Sequence, residues 1–161
     1  MKIHETYSYG DADVESVFGL IASKDFREES AAEAGAHDID VQVEESGGAV
    51  TITIVRSQPA AMPDFVKKLT GDTVKIKQTE KWSAPASDGS RSADVKVSII
   101  GQPAEMLGKA TLSSAGGGTE FVVDGDVTVK VPFIGKKIEP EVAKAIRASL
   151  KGEVELGTSR L

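Results

Sequence analysis

Hydrophobic and polar positions along this chain change rhythm several times. Lys2–Tyr9 reads as a first strand, with Ile3, Tyr7 and Tyr9 on one face. Gly10-Asp11 breaks it. Val14, Val17, Phe18 and Ile21 then recur at i, i+3, i+4, i+7, the spacing of a helix face, with Asp11 or Asp13 as its cap. A second short helix is expected over Asp25–Ala34, with few apolar residues and Gly35 as its stop. From His37 the period drops to two. Ile39, Val41 and Val43 alternate with charged and polar residues, Gly47-Gly48 makes a turn, and Val50, Ile52 and Ile54 alternate again.

The strand rhythm is interrupted at Ser57–Asp72 by Pro59 and Pro63. Met62, Phe65, Val66 and Leu69 there give a short amphipathic helix ending at Gly71, a cover rather than a plain connection. Four alternating runs follow. One places Val74, Ile76, Gln78, Glu80 and Trp82 on a single face. The others carry Ala93–Ile99, Ala104–Leu112 and Phe121–Val131, separated by Asp88-Gly89, Gly101/Pro103 and Gly116-Gly117-Gly118. The last stretch, about 134–159, reads as one amphipathic helix of roughly seven turns. Ile138, Val142, Ala145, Ile146, Leu150 and Leu156 share an arc, opposite Lys144, Arg147, Lys151 and Glu155. Pro140 sits early in it, so the helix is expected to start near Lys137–Glu139 or to kink.

This order is strand, two helices, six strands and a long terminal helix. It predicts an α+β domain over residues 1–161, with an antiparallel meander buried on one face only. Composition narrows the chemistry. The 19 basic and 25 acidic residues leave a charge of -6, which argues against a phosphate-backbone binder. The absence of cysteine removes disulfides, thiolate metal sites and cysteine nucleophiles, and the absence of asparagine removes glycosylation sequons. With no leader pattern and no apolar run long enough to span a bilayer, a cytoplasmic domain without stable membrane insertion is expected. His4 and His37 stand in no metal or triad spacing, so neither metal nor cofactor is expected. No phosphate loop or dinucleotide fingerprint occurs.

Three segments carry a likeness to known proteins. They are Met62-Pro63-Asp64-Phe65-Val66 leading to Gly71-Asp72, Thr79-Glu80-Lys81-Trp82, and the run from Val129 through Pro132-Phe133-Ile134-Gly135 to Glu139. These resemble an uncharacterised actinobacterial family of the START-like helix-grip superfamily, which includes polyketide cyclases and the birch pollen allergen class. The resemblance implies a curved seven-stranded sheet gripping the C-terminal helix. It also implies an apolar cavity between them that takes a small hydrophobic molecule such as a lipid or polyketide. It implies no reaction.

The residues expected to line that cavity are Met62, Phe65, Leu69, Gln78, Glu80, Trp82, Met106, Gly108, Phe121, Gly125, Ile138, Val142 and Ile146. Inward Gly108, Ala110, Gly125 and Gly152 would leave volume; alternatively, Phe65, Trp82, Met106, Phe121 and Ile138 fill it as ordinary core. Glu80 is the most informative residue. A carboxylate on an apolar face must be hydrogen-bonded, or its pKa rises. Three arrangements fit the spacing: Glu80 inside the cavity, a bulge between Gln78 and Trp82 that turns it outward, or an edge position with water access. A ligand-binding protein is the leading expectation. The alternatives are a cyclase or dehydratase using Glu80 with Tyr7 or Tyr9, and a protein-interaction module. Lys67 and Lys68 beside Phe65 and Leu69 would suit transient contact with an anionic membrane surface.

Overall fold

The computed structural model describes residues 1–161. The chain runs β1 (Lys2–Ser8), α1 (Val14–Ile21), α2 (Lys24–Glu33), β2 (His37–Ser46), β3 (Ala49–Pro59), α3 (Asp64–Thr70), β4 (Thr73–Trp82), β5 (Arg91–Ile99), β6 (Ala104–Ala115), β7 (Gly118–Val129) and α4 (Gly135–Arg160). The strands form one seven-stranded sheet in the order β1-β7-β6-β5-β4-β3-β2. All pairs are antiparallel, so the six strands after α2 are a meander and β1 closes its far edge beside β7. The sheet and α4 make the helix-grip architecture.

The local chemistry explains the element ends. Asp13 caps α1 by accepting the Ser16 N–H at 2.8 Å, and Ser23 caps α2 by accepting the Phe26 N–H at 3.2 Å. All four periodic apolar residues of α1 are buried. The inner face of the sheet and α1 share one core, in which the Phe18 and Trp82 rings meet edge to face at 5.5 Å. The Arg91 guanidinium covers the outer side of Phe18 at 3.8 Å and is held by Glu15.

A second core forms where α4 begins. Ile138, Val142 and Ala143 pack against Ile3, Met106, Val127 and Val129. The helix starts at Gly135, before the Lys137–Glu139 region that Pro140 suggests. The reason is contact with β7: a Cβ at Gly135 would lie 2.2 Å from the Val129 carbonyl oxygen. The Gly135 N–H donates to Val131 at 2.9 Å, and the buried Glu139 carboxylate accepts the Val129 N–H at 3.1 Å. These ties anchor the first turn, and Pro140 is carried inside the helix at the expense of one backbone hydrogen bond. From there α4 lies close along β7 and β1 and stands away from β3, β4 and β5. That divergence opens the interior.

Candidate functional site

The space between α4 and β3–β7 is a cavity of about 470 Å³. Its sheet wall is the inward face of five strands, including Ile54, Ile76, Val97, Met106 and Phe121. Its helix wall carries, beside Val142, Ile146, Leu150 and Leu156, a stripe of small residues, Ala145, Ala148, Ser149 and Gly152, at i, i+3, i+4 and i+7. No bulky side chain reaches out from that stripe to meet the sheet, so the gap persists.

Several expected residues line this cavity: Met62, Gln78, Glu80, Trp82, Met106, Phe121, Val142 and Ile146. Five do not. Phe65 and Leu69 turn outward, 40% and 45% exposed. Helix α3 is only seven residues long and buries Val66 alone, so it has one anchor rather than an apolar face. Ile138 sits in the second core and borders, with Leu69, a separate pocket of only about 20 Å³. Gly108 and Gly125 are paired across β6 and β7 and leave no volume. A Cβ on Gly108 would meet the Asp124 carbonyl oxygen at 2.2 Å, and one on Gly125 would meet the Met106 sulfur at 3.0 Å. These glycines permit close contact between main chain and neighbours; they are not cavity-makers.

The cavity wall carries a buried polar cluster centred on Glu80, which the regular β4 ladder keeps pointing inward with no bulge. Its two oxygens accept four hydrogen bonds. Arg27 donates from Nη1 at 3.2 Å and Nη2 at 2.5 Å, Gln78 Nε2 at 2.6 Å and Trp82 Nε1 at 2.9 Å. Gln78, Glu80 and Trp82 alternate on one strand, so two of the donors come from the carboxylate's own neighbours at i−2 and i+2. Burial alone would push the Glu80 pKa up. The Arg27 charge and the hydrogen bonds from Arg27, Trp82 and Gln78 outweigh it and hold the carboxyl below its usual range.

Arg27 comes from α2, whose buried face is Phe26, Arg27, Ser30 and Ala31. Burial works against its charge, and the Glu153 and Glu80 carboxylates more than restore it. Nη1 also donates to the Ile21 carbonyl at 3.1 Å, and Nε lies 3.4 Å from Glu153 Oε2, which accepts the Ser30 hydroxyl at 3.2 Å. The low apolar content of α2 therefore has a use: the helix delivers a cation into the interior. Sequence reasoning missed this residue. The available signal was an inward Glu80 in need of a counter-charge, together with an arginine beside Phe26.

Arg56 was missed as well. The alternation of Val50, Ile52 and Ile54 continues to Arg56 and Gln58, which places both on the inner face. Arg56 is 8% exposed and lines the cavity. Its Nε donates to Gln58 Oε1 and its Nη1 to Gln78 Oε1, each at 3.2 Å. Through Gln78 it joins the same chain of polar groups as Glu80 and Arg27.

Neither tyrosine hydroxyl hydrogen-bonds to this cluster, although Tyr9 lies within the field of Glu153, Arg27 and Glu80. The Tyr7 hydroxyl reaches the Arg147 carbonyl at 3.5 Å. The Tyr9 hydroxyl is buried without a hydrogen-bond partner, and burial pushes its pKa far above the usual phenol value. His4 pairs with Asp124 on the outer surface, and His37 lies beside Asp38.

Comparison with known proteins gives this geometry a setting. The model of a family described as "Protein of unknown function (DUF2505)" matches residues 6–161. The chain belongs to that family. Among curated relatives of this chain, an uncharacterized protein of Mycobacterium tuberculosis is 32% identical over 92 residues, 56% of this chain and 51% of its own length. The chain thus spans about half the length of the curated relatives it matches. Among solved structures, the di-domain ARO/CYC StfQ of the steffimycin biosynthetic pathway superposes with a TM-score of 0.63 at 9% identity, over 98% of this chain and 50% of that one. A STAR-related lipid transfer protein of Xanthomonas axonopodis superposes with a TM-score of 0.59 at 12% identity, over 97% and 85%. These likenesses place the DUF2505 chain in the START-like helix-grip fold. No helix of the chain is long and apolar enough to cross a membrane.

Proposed function

We propose that this protein binds and shields a small hydrophobic molecule in the cavity between α4 and the sheet. The observation that carries this reading is the cavity itself. Its volume of about 470 Å³ lies in the range of small-molecule pockets, roughly 300–1,000 Å³, and its walls are apolar with a few fixed polar groups on one side. Two superposing structures are described as a lipid transfer protein and an ARO/CYC protein, which is in keeping with such a role. A cyclase or dehydratase centred on Glu80 is less well supported. A proton-handling carboxyl needs a pKa near the working pH, whereas Glu80 is held ionised by Arg27 and fully occupied by donors.

The test is titration with the uncharged dye Nile red, alongside native mass spectrometry of gently purified protein. The wild type is expected to bind the dye. Ala145→Trp, which places a ring in the cavity from the helix wall, is expected to weaken binding roughly tenfold or more, about 1.4 kcal/mol. Equal binding by both proteins, or no binding and a bare polypeptide mass, would overturn the reading.

A further inference from the structure

The donors and acceptors of the polar cluster do not balance. Glu80 takes four hydrogen bonds on its two oxygens and has little capacity left. The charge of Arg27 is matched by Glu80 and Glu153, although its Nε has no hydrogen-bond partner. Arg56 is different. It is more than nine-tenths buried, lines the cavity, and is bonded only to the neutral amides of Gln58 and Gln78. A guanidinium has five N–H groups in a fixed planar fork. Two of those on Arg56 have protein acceptors, and none of its nitrogens forms an ion pair. A buried cation is stabilised by a hydrogen-bonded counter-charge, and here Arg56 borders the cavity with Nη2 free of any protein acceptor.

We propose that the molecule bound in this cavity carries a terminal carboxylate, seated on the free edge of the Arg56 guanidinium, with its apolar body against Ile54, Ile76, Val97, Met106 and Ile146. The inference rests on the hydrophobic-ligand reading above and names the class of ligand: an amphipathic acid of the fatty-acid kind. The fork geometry matches a carboxylate through two parallel N–H···O bonds, whereas an alcohol or ester oxygen offers only one weaker contact. Neighbouring charges set the limits. Glu153 exerts the largest carboxylate field on Arg56, and Arg27 opposes it. Glu153 is already paired with Arg27 and is 21% exposed, so solvent screens its repulsion of an incoming anion. Glu33, Glu105 and Glu155 also border the cavity and are more exposed than the buried cluster. Their positions favour a ligand that enters head first and buries its charge at Arg56 rather than leaving it at the rim.

The experiment compares cis-parinaric acid with its methyl ester by fluorescence titration of the full chain at neutral pH. The acid is expected to bind wild type roughly tenfold or more tightly than the ester. Arg56→Gln is expected to bring acid and ester to equal affinity, and Arg56→Lys to retain part of the difference. Circular dichroism confirms that each variant is folded, and the wild-type comparison of acid with ester needs no variant. Equal affinities for acid and ester, or undiminished acid binding by folded Arg56→Gln, would overturn the carboxylate proposal while leaving hydrophobic binding standing. Failure of both probes to bind wild type would overturn the two readings together.

Discussion

The two sides of the α4–sheet interface are built from similar sequence and behave in opposite ways. On one side the helix lies against β7 and β1, where Gly135 brings its main chain to the limit of contact with Val129, and Gly108 and Gly125 do the same between β6 and β7 beneath it. On the other side the helix diverges from β3–β5, and its small residues, Ala145, Ala148, Ser149 and Gly152, face open volume. A Cβ on Gly152 would meet nothing within 4 Å. The polar content divides the same way. The closed side is an apolar core tied by the Glu139–Val129 hydrogen bond, and the open side carries Arg27, Arg56 and Glu80. A small inward residue therefore has no fixed meaning. It marks close packing or a cavity depending on how far away the opposite layer stands.

The comparison is most sharply tested at the ion pair on the open side. Arg27→Ala or Glu80→Ala leaves an uncompensated buried charge and is expected to cost about 3–5 kcal/mol in denaturant unfolding. Combining Arg27→Met with Glu80→Leu removes both charges and is expected to recover most of that loss. A single substitution costing less than about 1 kcal/mol would mean that water, not protein, solvates the cluster.

Next in size come the glycines. Gly108→Ala must displace the Asp124 backbone and is expected to cost about 1–3 kcal/mol. Gly152→Ala, a helical position facing open space, is expected to gain up to about 1 kcal/mol. Equal effects at the two sites would erase the distinction between close-packed and open glycines.

Acid stability separates the sides further. Because the folded pKa of Glu80 is depressed, its contribution is complete above the ordinary carboxylate value of about 4.3 and is lost as pH falls through the lower folded value. Unfolding measured from neutral pH downward should therefore fall more steeply for wild type than for Glu80→Gln below that point. Parallel curves would show that Glu80 is not the titrating group. The smallest effects are expected at α3. Phe65→Ser and Leu69→Ser lie on its exposed face and should change stability by no more than about 0.5 kcal/mol.

The alternation from β2 to β7, the four-residue apolar set of α1 and the long arc of α4 were each legible as residue patterns. Each pattern is one element burying one face, and burial imposes its period directly on the sequence. The inward direction of Glu80 was legible for the same reason, although one alternative, an outward bulge, could be dismissed only once the β4 ladder was seen to be regular. Arg56 stood on the same alternation and was overlooked because the apolar run ends at Ile54; the strand continues to Pro59.

By itself the sequence determined the order of elements, the antiparallel meander and the placement of one carboxylate on an apolar face, since these follow from local propensity and periodicity. Only the tertiary structure decided which arginine faces that carboxylate, because Arg27 and Glu80 are 53 residues apart and meet through the packing of α2 over the sheet. It also decided which small residues border space. That depends on the angle between helix and sheet, a long-range quantity fixed at the start of α4 by Gly135 against β7 and by Glu139 on the Val129 N–H. From that anchored end the two layers separate, and the cavity follows.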